Sequence, residues 1–295
     1  MTQSVLPGVP EAFSLFGRPL YRVPLPPEAL DQQALLYEKA LEDWMGSPED
    51  PERIIWLGRR TAYLGRYRES LAIYSMGIEK HPGYAKLYRH RGHRFITIRL
   101  FDRAIDDFER AAGLMVSSPD EVEPDGAPNP RGVPVSTLYF NVYYHLGLSR
   151  YLVGDLRGAL KAYRMCMKVS DIDDKYVATT HWTYMTLRLL GRKAEAEKLL
   201  GRVDPGMDII ENTHYHKCLL MYKGENTPEA LMKEAREQGA LGLVTTGYGV
   251  ANWYRYNGDE EKAAGILREI TALEGWAGFG YIAAEADLKR MGLEP

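Results

Sequence analysis

Residues 51–82 read PERIIWLGRRTAYLGRYRESLAIYSMGIEKHP, and their pattern returns in AKLYRHRGHRFITIRLFDRAIDDFERAAG at 85–113. Four aligned pairs lie 34 positions apart: Gly58 and Gly92, Tyr67 and Phe101, Tyr74 and Phe108, and Gly77 and Ala111. A third copy, FNVYYHLGLSRYLVGDLRGALKAYRMCMKV, begins at residue 140. Self-similarity at this period predicts stacked helical hairpins, each too small to bury its own apolar face.

The repeated residues have identifiable physical tasks. The glycine at repeat position 8 lets two helices approach closely, and the aromatic residue at position 24 fills the wedge between them. The third copy places Gly147 and Tyr163 at these positions. A glycine that suits a tight turn recurs between the predicted helices as Gly65, Gly154, Gly191, Gly224 and Gly258, with Arg99 in its place once.

Over residues 51–277 this pattern resembles the tetratricopeptide repeat (TPR) family. The strings YRHRGHRFI, EPDGAPNP and HWTYMTLRLLG are similar to a bacterial TPR subgroup of unassigned function. The resemblance implies an all-α, right-handed TPR superhelix (an α-α solenoid) of about six helix-turn-helix repeats with N- and C-terminal cap helices. We expect a proline-rich extended arm at 1–27 and a single solenoid over 28–295. Its parts are repeats near 51–84, 85–118, 140–173, 177–209, 210–243 and 244–277, an insertion at 119–139 and cap helices at 28–45 and 278–292.

Composition excludes several classes of protein. Hydrophobic residues make up 45% of the chain, and the two cysteines allow neither a disulfide scaffold nor a multi-cysteine zinc site. No apolar run approaches the roughly 20 residues that a membrane helix needs. The start lacks a basic segment followed by an apolar one, so the cytoplasm is the default compartment, with the periplasm or secretion as the alternative if a signal peptide has been removed. The 37 basic and 40 acidic residues do not favour nucleic acid as a partner.

In the TPR family, the first helix of each repeat lines a concave groove. Carried over by position, the resemblance predicts a polar and aromatic groove that binds an extended peptide or partner tail through main-chain contacts and an anionic group. The predicted groove residues are Arg59, Tyr63, Lys86, Arg89, His93, Asn141, Tyr144, His181, Arg188, His214, Tyr248, Asn252 and Arg255. A non-enzymatic protein-protein interaction module without a cofactor is therefore the leading hypothesis.

Charge is concentrated at one end of this groove. Residues 52–103 contain 12 Lys or Arg and 4 Asp or Glu, a local balance of +8 within a chain whose net charge is −3. We expect the basic side chains at this end to bind a carboxylate. The insertion carries four acidic residues, Asp120, Glu121, Glu123 and Asp125. We therefore also consider that the insertion itself lies over the basic groove as an internal plug.

Two further hypotheses remain open. His93, His181, Glu211 and His214 are the ingredients of a divalent metal site or an acid–base site, which would make the groove a small-molecule or hydrolytic site under the insertion loop. Known catalytic strings are absent, which favours a protein that is not an enzyme. Alternatively, the arm at 1–27 lies in its own or a neighbour's groove and supports a homo-oligomer. His90, His145 and His216 lie nearer the helix interface and are predicted to be hydrogen-bonded core histidines.

Overall fold

A computed structural model describes residues 8–295. Its helices are α1 (Pro27–Gly46), α2 (Pro51–Tyr63), α3 (Tyr67–Lys80), α4 (Ala85–Thr97), α5 (Phe101–Leu114), α6 (Leu138–Leu152), α7 (Leu156–Met167), α8 (Asp173–Leu189), α9 (Lys193–Leu199), α10 (Thr213–Lys223), α11 (Pro228–Glu237), α12 (Gly239–Gly242), α13 (Tyr248–Tyr256), α14 (Glu260–Thr271) and α15 (Phe279–Arg290). A π-helical segment, Leu243–Gly247, joins α12 to α13. The all-α repeat architecture expected from the sequence is confirmed. None of the helices in the described part is long and apolar enough to cross a bilayer.

Consecutive helices form hairpins with tight turns. The pairs are α2 with α3, α4 with α5, α6 with α7, α8 with α9, α10 with α11, and α13 with α14. Most of the turns contain a glycine in the left-handed region, such as Gly65 with φ of 75° and Gly154 with φ of 85°. Arg99 takes the equivalent place between α4 and α5 with φ of 66°, and it is the only non-glycine residue within 8–295 with positive φ.

The first helices of successive hairpins form the inner layer of the solenoid. Helix α2 packs on α4, α4 on α6, and α6 on α8. Later helices return to this layer, since α10 and α13 contact α8 and α15 contacts α6. The inner face is therefore covered over α6 and α8, and less so over α2 and α4.

The described part of the N-terminal arm is a short hairpin and not a fully extended segment. Strands β1 (Ala12–Phe13) and β2 (Pro19–Leu20) pair antiparallel, and the loop between them packs on α15. The backbone N–H of Leu15 donates to Glu285 Oε1 over 2.8 Å, and Lys289 Nζ donates to the carbonyl of Leu15 over 2.8 Å. Residues 1–7 of the predicted arm lie outside the described residues.

A buried ion pair connects the turn between α4 and α5 to the C-terminal helix α15. Arg99 Nε donates to Glu285 Oε2 over 3.0 Å, and Arg99 Nη2 donates to the carbonyl of Trp276 over 2.8 Å. The side chains of Arg99 and Glu285 are 3% and 2% exposed. Such a pair is strongly destabilising to break, because either charge left alone is uncompensated in the interior.

Candidate functional site

A cavity of about 120 Å³ opens on the inner face of the first two repeats. Its lining is basic and aromatic: Arg59, Ala62, Tyr63, Tyr74, Arg89, His90, His93 and Arg94. Four of these residues, Arg59, Tyr63, Arg89 and His93, belong to the predicted groove. The structure thus brings the predicted basic end of the groove together around one concave space.

Helix periodicity explains why these side chains meet. Arg59 and Tyr63 are four residues apart on α2, and Arg89 and His93 are four apart on α4, so each pair shares one helical face. The start of α2 is fixed because Asp50 accepts a hydrogen bond from the N–H of Glu52 over 2.9 Å. The direct packing of α2 on α4 then places the two faces side by side.

Two of the three arginines that line the cavity form no ion pair among the described residues. Among residues 8–295, neither Arg59 nor Arg94 has a carboxylate oxygen within 4.0 Å of its guanidinium nitrogens. Arg59 lies over the Trp56 ring, 4.4 Å from its centroid, which supports the guanidinium without neutralising it. Burial, followed by the charge of neighbouring Arg94, holds the pKa of His93 well below its usual value, so this imidazole is neutral.

The insertion lies against this basic region, as the plug hypothesis predicts. Glu121 pairs with Lys86 over 2.8 Å, and Glu123 pairs with Arg89 Nε over 2.9 Å. Burial alone would raise the pKa of Glu123, but Arg89 and the hydrogen bonds from His90 and Asn141 hold it below its usual range. Glu123 is 4% exposed, so a charged carboxylate is buried against the groove.

His90 connects the arginine to the glutamate. Its Nδ1 lies 3.1 Å from Arg89 Nη1, and its Nε2 lies 3.3 Å from Glu123 Oε1. Burial and then the charge of Arg89 lower the pKa of His90 to about 3. A neutral imidazole that accepts at Nδ1 and donates from Nε2 satisfies both neighbours.

The predicted core histidines are hydrogen-bonded as expected. Besides His90, the Nδ1 atom of His145 lies 2.6 Å from the carbonyl of Asn141. His216 Nε2 lies 2.9 Å from the carbonyl of Asp204. These side chains are buried at helix interfaces, where backbone carbonyls supply their partners.

Much of the remaining predicted groove is core and not an open surface. Asn141, Tyr144, His181, Tyr248 and Asn252 are all buried. Asn141 is covered by Glu123 and Ser136 of the insertion, and Tyr144 and His181 lie against Tyr215 of α10. Helix α13 packs against α8, and α15 packs against α6. These residues lie on the inner layer of helices, but the chain's own insertion and later helices fill the space over them.

The polar groups in this filled part bond to one another. The hydroxyl of Tyr248 donates to Asp287 Oδ2 over 2.7 Å and lies 2.9 Å from the hydroxyl of Tyr151. Tyr151 also donates to Asn252 Oδ1 over 3.2 Å. Arg255, another predicted groove residue, pairs with Asp287 over 2.7 Å. These contacts hold α6, α13 and α15 together.

Arg188 lies near the C-terminal end of α8. Its guanidinium stacks over Tyr256, 4.3 Å from the ring centroid, and donates to Asn257 Oδ1 over 3.0 Å. This half-buried arginine is far along the chain from the basic cavity and does not line it.

Two of the four residues proposed for a metal or acid–base site lie in aromatic surroundings. The ring of His93 is 4.7 Å from that of His145 and 5.2 Å from that of Phe279. The ring of His181 is stacked 4.5 Å from Tyr215, and neither of its nitrogens has a hydrogen-bond partner within the described chain. Burial lowers the pKa of His181 to about 3.

The other two proposed residues have separate partners. His214 Nδ1 lies 3.0 Å from Thr246 Oγ1, while the exposed Glu211 accepts from Asn129 Nδ2 over 2.8 Å. Over the described range, no three or more His, Cys, Asp or Glu side chains form a group that could hold a metal ion. The structure therefore does not bring His93, His181, Glu211 and His214 together as the metal hypothesis requires.

Some residues of the site were not predicted as groove residues. Arg94 lines the cavity, and Arg60 donates from Nη1 to the carbonyl of Gly126 over 2.8 Å. Phe279, at the start of α15, covers His93 and His145. The local excess of basic residues pointed to Arg60 and Arg94, but no sequence signal places α15 over this face.

Solved structures similar to this chain share little sequence with it. No protein-family model matches the chain, and no curated protein sequence matches it. The crystal structure of YrrB, described as a TPR protein with an unusual peptide-binding site, is 16% identical, with 86% of this chain and 99% of that chain covered and a TM-score of 0.45. The crystal structure of MamA is 15% identical, with 69% of this chain and 100% of that chain covered and a TM-score of 0.44.

The hairpins share one packing pattern. Tyr74, Phe108 and Tyr163 are at most 1% exposed, and each lies against the glycine at position 8 of its own repeat. Turn residues with positive φ follow the first helices at the expected positions. With its helical hairpins stacked through an inner layer, the chain is an all-α solenoid.

Proposed function

We propose that this chain is a protein-interaction module that binds an anionic group of an extended peptide at the inner face of its first two repeats. The observation that carries this proposal is the cavity lined by three arginines, of which Arg59 and Arg94 have no carboxylate partner among the described residues. Guanidinium groups favour carboxylates because they can donate in a fork geometry that matches two oxygens.

The neighbouring side chains suit this role. Tyr63 and the neutral His93 line the same space and offer polar contacts without adding charge. An extended peptide is bound largely through its main chain, with side-chain pockets providing specificity. A narrow basic cavity between two packed helices therefore fits one acidic side chain, or a chain-terminal carboxylate, of a longer peptide.

Binding of defined peptides tests the proposal. The probes are a fluorescein-labelled nonapeptide rich in glutamate and its counterpart with glutamine in place of glutamate. Both are titrated by fluorescence anisotropy into the full chain and into Arg59→Gln. Arg157→Gln is the matched control, because Arg157 is an exposed arginine on α7, away from the cavity.

We expect the glutamate peptide to bind more tightly than the glutamine peptide, and Arg59→Gln to weaken that binding about tenfold or more. A hydrogen bond to a charged group contributes roughly 1.5–3 kcal/mol, and 1.4 kcal/mol corresponds to a factor of ten. Arg157→Gln should bind like the unmodified chain. Equal binding of the two peptides, or an equal loss in both arginine variants, would contradict the proposal.

A further inference from the structure

The insertion segment 121–126, EVEPDG, lies over α2 and α4, and its residue Val122 forms an isolated antiparallel β-bridge with Thr137. The N–H of Glu123 donates to the carbonyl of Ser136 over 3.1 Å, and the N–H of Leu138 donates to the carbonyl of Glu121 over 2.8 Å. In an extended strand, side chains alternate between two sides. Accordingly, Glu121 and Glu123 point to α4, while the side chain of Val122 between them is directed outward and the residue is 58% exposed.

The two glutamates occupy successive turns of α4. Glu121 bonds to Lys86 and Glu123 to Arg89, which lie three residues apart on one face of that helix. Lys86 also contacts Glu52 of α2 over 2.8 Å. The spacing of alternate side chains along the strand therefore matches the spacing of the cations on the helix.

Helix α2 contacts the main chain of the same segment. Arg59 Nη1 donates to the carbonyl of Pro124 over 2.9 Å, and Arg60 Nη1 donates to the carbonyl of Gly126 over 2.8 Å. Any residue offers a carbonyl, so these two contacts do not depend on the sequence of the segment. Alternating side-chain pockets combined with main-chain bonds are the features by which extended peptides are recognised.

The end of the segment is fitted closely to the groove. A Cβ on Gly126 would overlap the hydroxyl of Tyr63, a residue that lines the basic cavity. The backbone of Gly126 thus lies directly on the cavity wall, at the edge of the space where Arg59 remains without a carboxylate partner.

We infer that residues 121–126 occupy in cis the site of a partner segment, and that the partner is an extended acidic peptide with two glutamates separated by one residue. This inference rests on the peptide-binding function proposed above and adds the chemistry of the partner and its competitor. A tethered segment competes at an effective concentration on the order of millimolar, so it lowers the apparent affinity for a free peptide of the same chemistry.

The test uses a capped, labelled peptide of residues 119–127, PDEVEPDGA, and the same peptide with both glutamates replaced by glutamine. Two variants weaken the internal segment in different ways. Glu121→Gln with Glu123→Gln removes its charges, whereas Gly126→Ala leaves every charge in place and forces residue 126 and the Tyr63 ring apart. Gly113→Ala is the matched control, because nothing lies within 4 Å of a Cβ there.

We expect both variants to bind the acidic peptide at least tenfold more tightly than the unmodified chain and the control do. Each of these proteins should bind the glutamine peptide more weakly than the acidic peptide. Circular dichroism establishes that each variant is folded. If the unmodified chain and both folded variants bind the acidic peptide equally, the cis-competitor inference is wrong while the proposed function stands. If no form prefers the acidic peptide, the proposed function itself fails.

Discussion

A Cβ on Gly92 would lie 2.9 Å from Cζ of Phe108, which is fully buried between α4 and α5. The equivalent Cβ atoms on Gly58 and Gly147 would overlap the rings of Tyr74 and Tyr163. The glycine and the aromatic residue of each repeat therefore form one packing unit, in which the ring occupies the space that a side chain would need.

Gly92→Ala should lower the free energy of unfolding by about 1–3 kcal/mol, the usual cost of overpacking a filled core. The helix propensity of alanine opposes this loss by up to ~1 kcal/mol. Gly265→Ala is the control, because Gly265 lies in α14 with nothing within 4 Å of its Cβ position, and this variant should be neutral or more stable. Urea unfolding measures both variants, and equal stabilities for the two would contradict the packing explanation.

The glycine–aromatic pairs explain why the fold could be predicted from the sequence. Both partners lie within one hairpin, so the period of 34 residues records their contact directly. The basic end of the groove was predicted for a related reason, since Arg59, Tyr63, Arg89 and His93 share faces on two adjacent helices.

Which part of the groove is open to solvent could not be predicted in the same way. Tyr248 bonds to Tyr151 from 97 positions away, and Phe279 reaches His93 from the other end of the chain. These contacts depend on how far the solenoid curves, which is the sum of small rotations at every repeat. No local pattern in the sequence records that sum, so buried residues were predicted as groove residues.

Arg99→Gly should destabilise the protein by about 2–4 kcal/mol although glycine suits its positive φ better. Glycine relieves backbone strain of order 1 kcal/mol, but the substitution leaves Glu285 buried without its cation, which costs more. Thermal unfolding of Arg99→Gly alone and combined with Glu285→Gln measures the effect. The second substitution should restore part of the stability, and a stabilised single variant would show that strain outweighs the ion pair.

Removing residues 1–24 should lower the local stability of α15 more than that of the rest of the solenoid. The described hairpin supplies contacts that α15 and the preceding turn otherwise lack: Arg18 Nη2 donates to the hydroxyl of Tyr281 over 2.7 Å, and Trp276 Nε1 donates to the carbonyl of Tyr21 over 2.7 Å. Each such bond contributes about 1 kcal/mol. Hydrogen exchange should therefore accelerate in α15 more than in α6.

Size-exclusion chromatography of the same truncation addresses the self-assembly hypothesis. Faster exchange in α15 with an unchanged elution volume supports an arm that serves its own chain. Unchanged exchange together with the loss of an oligomer would show instead that the arm acts between copies.

Mildly acidic pH should unfold this protein, because its buried histidines stay neutral as long as the chain is folded. Burial comes first among the causes that lower the pKa to about 3 for His90, His145 and His181. His93 is shifted in the same direction. An unfolded histidine has a pKa near 6.5, so between these values the unfolded chain binds protons that the folded chain does not, and stability falls as pH falls.

By pH 5.5 His90, His145 and His181 should each have cost about 1.4 kcal/mol relative to pH well above 6.5, or about 4 kcal/mol for the three together, and His93 adds to this loss in the same direction. Since small domains have total stabilities of about 5–15 kcal/mol, unfolding should begin between pH 5 and 6. Urea midpoints at several pH values between 7.5 and 5 measure how steeply the free energy of unfolding falls with pH, and His181→Gln should reduce that slope by about one proton.

Glu123 adds to the loss only at lower pH, because an unfolded glutamate is protonated near pH 4.5 and its folded pKa lies below that. A flat profile from pH 7.5 to 5 would mean that the folded chain takes up these protons, which burial beside Arg89 and Arg94 opposes for His90 and His93.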